Sequence, residues 1–158
     1  RTPYNKINIH LGGAYGDKEA SMKRFVKNFP RLPESVRSRL TLENDDKASM
    51  YSVKDLYEGI YNKIGMRIVF DYHHHQFCTG GLSEQEALEM ALSTWGDIKP
   101  VTHYSESRRD EQEDKTIRVQ AHSDYVYDKI EMYGNDFDIM VEAKAKELAV
   151  DRYLKIHG

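Results

Sequence analysis

Five short, apolar, β-rich runs in this chain each close on a side chain that can bind a metal or move a proton. Lys6–Leu11 carries His10 near its end, Arg39–Glu43 ends in Glu43, and Arg67–Asp71 ends in Asp71. Pro100–Tyr104 carries His103, and Phe137–Glu142 ends in Glu142. Two further imidazoles follow such runs: His74 in the stretch DYHHH and His122 in AHSDY. Imidazole and carboxylate ligands together suit first-row divalent ions. Several carboxylates also allow bridging between ions ~4 Å apart, the arrangement that clamps the attacking and leaving oxygens in phosphodiester hydrolysis. Taken singly, His10 or His103 at a strand end is more often a hydrogen-bonded structural residue. Glu43 or Asp71 alone can serve as an anion at a helix N-terminus, and the HHH run alone reads as a surface loop. Five consecutive runs ending in His, Glu, Asp, His and Glu are harder to explain that way, and they point to a metal site.

Such convergence needs strands whose C-termini share one edge. The runs recur roughly every 30 residues with one helical segment between them, the βαβ rhythm of a parallel sheet. Asp17 opens DKEASMKRFVKNF, where Met22, Phe25, Val26 and Phe29 fall at helical spacing. Ser52 is placed to cap VKDLYEGIYNKI, with Asp55 three residues on and Gly65 as the stop. Ser83 begins SEQEALEMALSTW, with Glu86 at the capping-box position and Gly96 as the end. Ser123 opens a predicted helix over DYVYDKIEMY that stops at Gly134, and a last helix is expected from about Ala145 to Lys155. Ser105–Ala121 is the longest irregular stretch, of the length expected for a functional or mobile loop. The rhythm fits an open doubly wound sheet or part of a (β/α)8 barrel, which usually needs about 250 residues. In either, the ligand-bearing ends meet on one face. No residue-level repeat or low-complexity segment is present.

The 158 residues amount to one ordinary domain, expected to span 1–158. With 39% hydrophobic and 31% charged residues the chain has globular rather than disordered composition. No stretch approaches the ~18 apolar residues of a membrane span, and RTPYNKINIH shows no basic-then-apolar leader pattern. Its one cysteine, Cys78, cannot form an internal disulfide, which fits a reducing compartment. The net charge of −3 runs against a nucleic-acid partner, although metal-binding carboxylates lose their repulsion once an ion is bound. Positive charge clusters in Lys23, Arg24, Lys27 and Arg31, in Arg37 and Arg39, and in Arg108, Arg109, Lys115 and Arg118. Each cluster reads first as a solvated face and second as phosphate contacts. Most of the many tyrosines, Tyr104, Tyr125, Tyr127 and Tyr133 among them, read as packing residues before base-stacking ones.

The segments NIHLGGAYGDKEASMKRF, LPESVRSRLTLENDDK, VFDYHHH, HYSES, AHSDYV and DIMVEAKAKE follow one another in the order found in the UV damage endonuclease family, which this sequence resembles along nearly its whole length. LTLENDD, FDYHHH and VEAKAKE together are specific; any one alone would be weak. The resemblance implies an α/β fold, here part of a TIM-type barrel covering about strands four to eight. It implies a metal-dependent endodeoxyribonuclease that cuts the phosphodiester bond 5′ to UV photoproducts and other lesions in double-stranded DNA. The ions it implies are divalent, Mn first and then Zn, Fe, Co or Mg, with no nucleotide cofactor. The ligand set carried over is His10, Glu43, Asp71, His74, His103, His122 and Glu142, with Glu43, Asp71 and Glu142 as the catalytic carboxylates. Work on DNA places such a protein in the cytoplasm at the nucleoid, or in a nucleus. Two departures stand out. Family members often carry a Lys two residues before the His of the seventh strand; here that position is Val101, with Lys99 further upstream, so one metal site is expected to be weakened. The family's first three strands, which supply further His ligands and the residues that probe distorted DNA, have no counterpart.

In the resulting scheme Glu43 bridges two ions. Asp71, His103 and Glu142 hold one, His10 helps hold another, and His74 and His122 hold a third. Loop Lys and Arg residues would grip phosphates, making binding salt-dependent. Two alternatives use the same residues: a metal-dependent sugar isomerase or epimerase on a related barrel, and a non-catalytic fragment that dimerises to cover an exposed sheet edge and barrel interior.

Overall fold

The computed structural model describes residues 4–158 and gives an α/β fold with parallel strands. The strands are β1 (Ile7–Ile9), β2 (Leu40–Glu43), β3 (Arg67–Val69), β4 (Val101–Tyr104) and β5 (Asp138–Val141), each inside a run expected to be a strand. β1, β2 and β3 pair in parallel, with Ile9 opposite Leu42 and Leu42 opposite Ile68. β4 and β5 pair in parallel, with His103 opposite Met140. A single parallel bridge between Asp71 and His103 joins the two groups, and the His103 N–H donates to the Phe70 carbonyl at 2.8 Å. Spatial order therefore follows chain order, and all five C-terminal ends lie along one edge. Among the described residues the outer edges of β1 and β5 have no strand partner.

The all-buried LTLE of β2 is the run expected of a central parallel strand covered on both faces. Its Leu42 meets Ile68, Phe70, Leu56, Ile60 and Leu88 in the main core. Helices cover that core where the caps predicted them. Lys18–Asn28 begins at Asp17, whose side chain accepts from the Ala20 N–H. The helical stretch 53–64 starts with a Ser52–Asp55 capping box, widens into a π-turn at Tyr57–Tyr61, and ends at Gly65 in the left-handed region (φ 66°). Gly59 in that turn is a close-packing position, because a Cβ there would strike Met22 Sδ. Glu84–Leu92 starts with a Ser83–Glu86 capping box and tightens into the 3-10 turn Ser93–Trp95. Trp95 then donates from Nε1 to the Ile68 carbonyl and packs with Val69 and Val101 in a smaller cluster. Removing the cap with Ser83→Ala is expected to cost about 1 kcal/mol of unfolding free energy by urea titration. An unchanged midpoint would mean that packing of Ala87, Leu88 and Ala91 alone fixes this helix.

The C-terminal helix runs Glu147–His157, two residues later at each end than the sequence predicts. The helix expected from Ser123 to Gly134 does not form. The cause is competition for its backbone. Glu111 accepts from the N–H groups of Asp124 and Tyr125, Glu106 accepts from those of Tyr127 and Asp128, and the Tyr153 hydroxyl accepts from that of Ile130. The donors of Tyr127, Asp128 and Ile130, which a helix would pair with carbonyls four residues back, are taken by side chains from elsewhere. The loop 105–121 includes one helical turn, Arg108–Glu111, and folds back so that Ser107 and His122 form an antiparallel bridge. None of the described helices is long and apolar enough to cross a membrane.

Candidate metal centre

Glu43, the last residue of the central strand, is 5% exposed and lies at the middle of the cluster. Its carboxylate is 3.1 Å from His74 Nδ1, 3.3 Å from His103 Nδ1 and 3.7 Å from His10 Nε2. His103 Nδ1 also lies 3.2 Å from Glu142, and Glu142 lies 3.7 Å from His122 Nδ1. Asp71 is fully buried and 3.9 Å from His74 Nδ1. All seven sequence-predicted residues thus join one connected cluster. Two groups within it have ligand atoms close enough to share an ion: His10, Glu43 and His74, and Glu43, Asp71 and His103. Glu43 belongs to both. The grouping departs from the sequence scheme, since His74 sits with His10 and Glu43 rather than with His122, and Glu142 lies outside the group of Glu43, Asp71 and His103. Asp71 Oδ2 is buried with no hydrogen-bond partner, an orphaned anionic ligand atom that a cation would satisfy.

The elements explain the convergence. His10 and Glu142 are the first residues past β1 and β5, and His103 is inside β4. Asp71 caps the short helix Tyr72–His75 by accepting from the His74 N–H at 2.8 Å, which turns His74 back over Glu43. His73 and His75 of the same run are buried, His73 between the Phe77 and His122 rings and His75 against Phe70, so the HHH stretch is not a surface loop. His122 arrives through the fold-back of its loop, not ahead of a helix as expected.

Charge is unevenly held. Burial favours the neutral form of Glu43, but His103, His74 and His10 outweigh it and hold the carboxyl well below the usual range. At Asp71 burial wins over His74 and pushes the carboxyl up to about 6. Burial also opposes the charged forms of His74 and His103. The carboxylates of Glu43 and Asp71 beside the first, and of Glu142 and Glu43 beside the second, raise each to about 9. Burial lowers His122.

Those raised values exceed the ordinary 6.5, so the metal-free native state binds protons that the unfolded chain releases. This contribution to stability is fully present below about 6.5 and lost as pH rises through about 9. A ligating imidazole must be neutral. Mn²⁺ uptake near pH 7 is therefore expected to release about one proton from each of the two rings, and affinity should climb with pH and level off above about 9. Calorimetry in buffers of different ionisation enthalpy counts those protons. Uptake without release would mean that both rings are already neutral.

The UV-endonuclease UvdE family matches residues 1–157. The chain belongs to that family. It is 37% identical over 156 residues to a UV DNA damage endonuclease of Bacillus mycoides (strain KBAB4), covering 91% of this chain and 46% of that protein. It is 37% identical over 163 residues to one of Bacillus pumilus (strain SAFR-032), covering 94% of this chain and 47% of that protein. The crystal structure of SacUVDE superposes with a TM-score of 0.76 at 32% identity, covering 96% of this chain and 52% of that one. The chain thus spans about half the length of these UvdE relatives.

Within this UvdE chain, three residues that sequence reading passed over line the cluster. Asn8 donates from Nδ2 to Glu43 Oε2 and is itself oriented by Thr41, which donates to its Oδ1. Asn44 bonds both main-chain groups of Asp71, and its own carbonyl accepts from His74 Nδ1 at 2.9 Å. Asp45 holds His10. Strand alternation could have found Asn8, which shares a face with His10; LENDD was read only for its Glu. Lys99 cannot stand in for the family's Lys. It pairs with Asp136 and Asp138 at 3.1 and 3.3 Å, before β4 begins, while Val101 packs on Trp95 and Val69. Of the basic clusters, Lys23, Arg37 and Arg108 are already paired with Glu19, Glu34 and Asp124.

Proposed function

We propose that this chain carries much of the metal centre of a DNA repair endonuclease, one that hydrolyses the phosphodiester bond 5′ to UV photoproducts and other lesions. The observation that carries the reading is Glu43, buried at the C-terminal edge of the parallel strands and shared by two candidate ligand triads, in a chain of the UvdE family. Barrel enzymes place their chemistry at that edge. On this reading residues 1–158 are one domain, a contiguous part of a (β/α)8 barrel equivalent to about strands four to eight. The five parallel strands in chain order support it.

His10, Glu43 and His74 would hold one divalent ion and Glu43, Asp71 and His103 another, with Glu142 and His122 flanking the second. Mn is the first choice, ahead of Zn, Fe, Co and Mg, and such ions supply Lewis-acid activation of water and stabilisation of the leaving 3′ oxygen. The chain's own residues do the rest. Before an ion binds, Glu43 keeps its negative charge because His103, His74 and His10 hold its carboxyl well below the usual range, and a bound cation would have the same effect. Asn8 fixes one Glu43 oxygen and leaves the other toward His74 and His10. Burial of Asp71 excludes water from that side of the centre. The net charge of −3 on these 158 residues gives no overall attraction to DNA, so their own share of it would come from local cations and bound metal.

A 5′-labelled duplex with one photoproduct tests this, incubated with Mn²⁺ and either this chain or this chain fused behind the N-terminal half of the B. pumilus relative. A single incision immediately 5′ to the lesion, absent from undamaged duplex, is expected from the fused protein. Incision by neither protein overturns the reading.

A further inference from the structure

His10 is poorly held by packing. Its side chain is 44% exposed, and the nearest ring, His74, is tilted with centroids 5.5 Å apart. What fixes it is Asp45, which is 7% exposed and places Oδ1 2.8 Å from His10 Nδ1. Asp45 is in turn pinned from both sides by a fully buried residue. Its Oδ2 accepts from the Tyr51 N–H at 3.1 Å, and its own N–H donates to the Tyr51 carbonyl at 2.9 Å.

An ionised carboxylate only accepts, so the hydrogen in the Asp45–His10 contact belongs to Nδ1. In the neutral ring the lone pair is then on Nε2, the atom that lies 3.7 Å from Glu43 Oε1. We propose that Asp45 is a positioning residue: it holds His10 in the Nδ1–H tautomer and aims Nε2 at the Glu43 centre. Metal-binding imidazoles commonly depend on such a partner, and its loss typically weakens the metal 10- to 100-fold. The inference rests on the metal-centre reading for its purpose, but the tautomer itself can be read without metal.

Asp45→Asn is the informative variant because it keeps the shape. The Tyr51 N–H demands the amide oxygen, which leaves the amide NH2 facing His10 Nδ1. The ring must then accept there and carry its hydrogen on Nε2, the wrong tautomer for the centre. Mn²⁺ affinity would be measured for the wild-type chain, D45N, H10A and the double variant, with circular dichroism as the check on folding. The expected result is a loss of about 10- to 100-fold in D45N, with the double variant no weaker than H10A alone, since Asp45 acts through His10. Wild-type affinity in D45N, or losses that add in the double variant, overturns the proposal. If the wild-type chain takes up no Mn²⁺, its ligands hold no ion without further strands, and that outcome bears on the metal reading alone. Long-range ¹H–¹⁵N spectra of the metal-free, histidine-labelled chain, at a pH where His10 is neutral, then decide the positioning role. Nδ1–H in the wild type and Nε2–H in D45N uphold it; the same tautomer in both overturns it.

Discussion

Glu43→Gln is expected to strip the chain of divalent metal. Elemental analysis should find about one or more Mn per wild-type chain and close to none in the variant, since divalent sites of this type rest on their carboxylates. The change is nearly isosteric, and Glu43 is buried, so the fold should survive. The site should not. Glu43 is the one residue common to both candidate triads, and a neutral amide there removes the charge that would balance two cations. Loss of an outer partner alone costs 10- to 100-fold in affinity, so losing a shared ligand should cost at least about 100-fold. Metal retained in the variant would mean that the ions do not share this carboxylate. Metal absent from both proteins would mean that the ligands hold no ion without further strands.

Asn44→Ala should destabilise the fold by about 1–3 kcal/mol, because the buried Asp71 N–H is left without a partner. Asn44 is fully buried and acts as an extra rung of the sheet. Past the end of β3, its Oδ1 accepts from the Asp71 N–H at 2.8 Å and its Nδ2 donates to the Asp71 carbonyl at 3.0 Å. Alanine leaves the buried Asp71 N–H unpaired, while the Asp71 carbonyl keeps the His75 N–H at 3.1 Å. A drop in urea midpoint at constant slope would report the loss. The same variant should bind Mn²⁺ more weakly, because the Asn44 side chain sets Asp71, which in turn caps His74. A stability loss below about 1 kcal/mol would mean that the backbone at Asp71 finds other partners.

The strands and most helices were legible because their signals are local. Val, Ile, Leu and Phe in short runs fixed the five strands, and Ser52, Ser83, Asp17 and Gly65 marked helix ends by their own hydrogen bonds or backbone angles. The segment after Ser123 shows where local signals stop. Val126 and Ile130 are buried at helical spacing, yet Glu106 from the preceding loop and Tyr153 from the last helix take amides that a helix would need. No window around Ser123 contains that information. The convergence of the five strand-end residues was legible for the opposite reason, since parallel order alone brings such ends together. Asn8, Asn44 and Asp45 escaped because their work is done on other side chains and on main-chain groups, which spacing does not show.

The way the His122 segment is anchored has a dynamic consequence. The amides of Asp124, Tyr125, Tyr127 and Asp128 are tied to two carboxylates near the surface, not to a helix or sheet ladder. They can exchange with solvent through a small local opening, while those of Leu42 and Ile68 in the central ladder must await a far larger one. In deuterium labelled over minutes to hours, this stretch should fill early and the central strands late. His122 would then be the part of the cluster that comes and goes, on a framework that stays still.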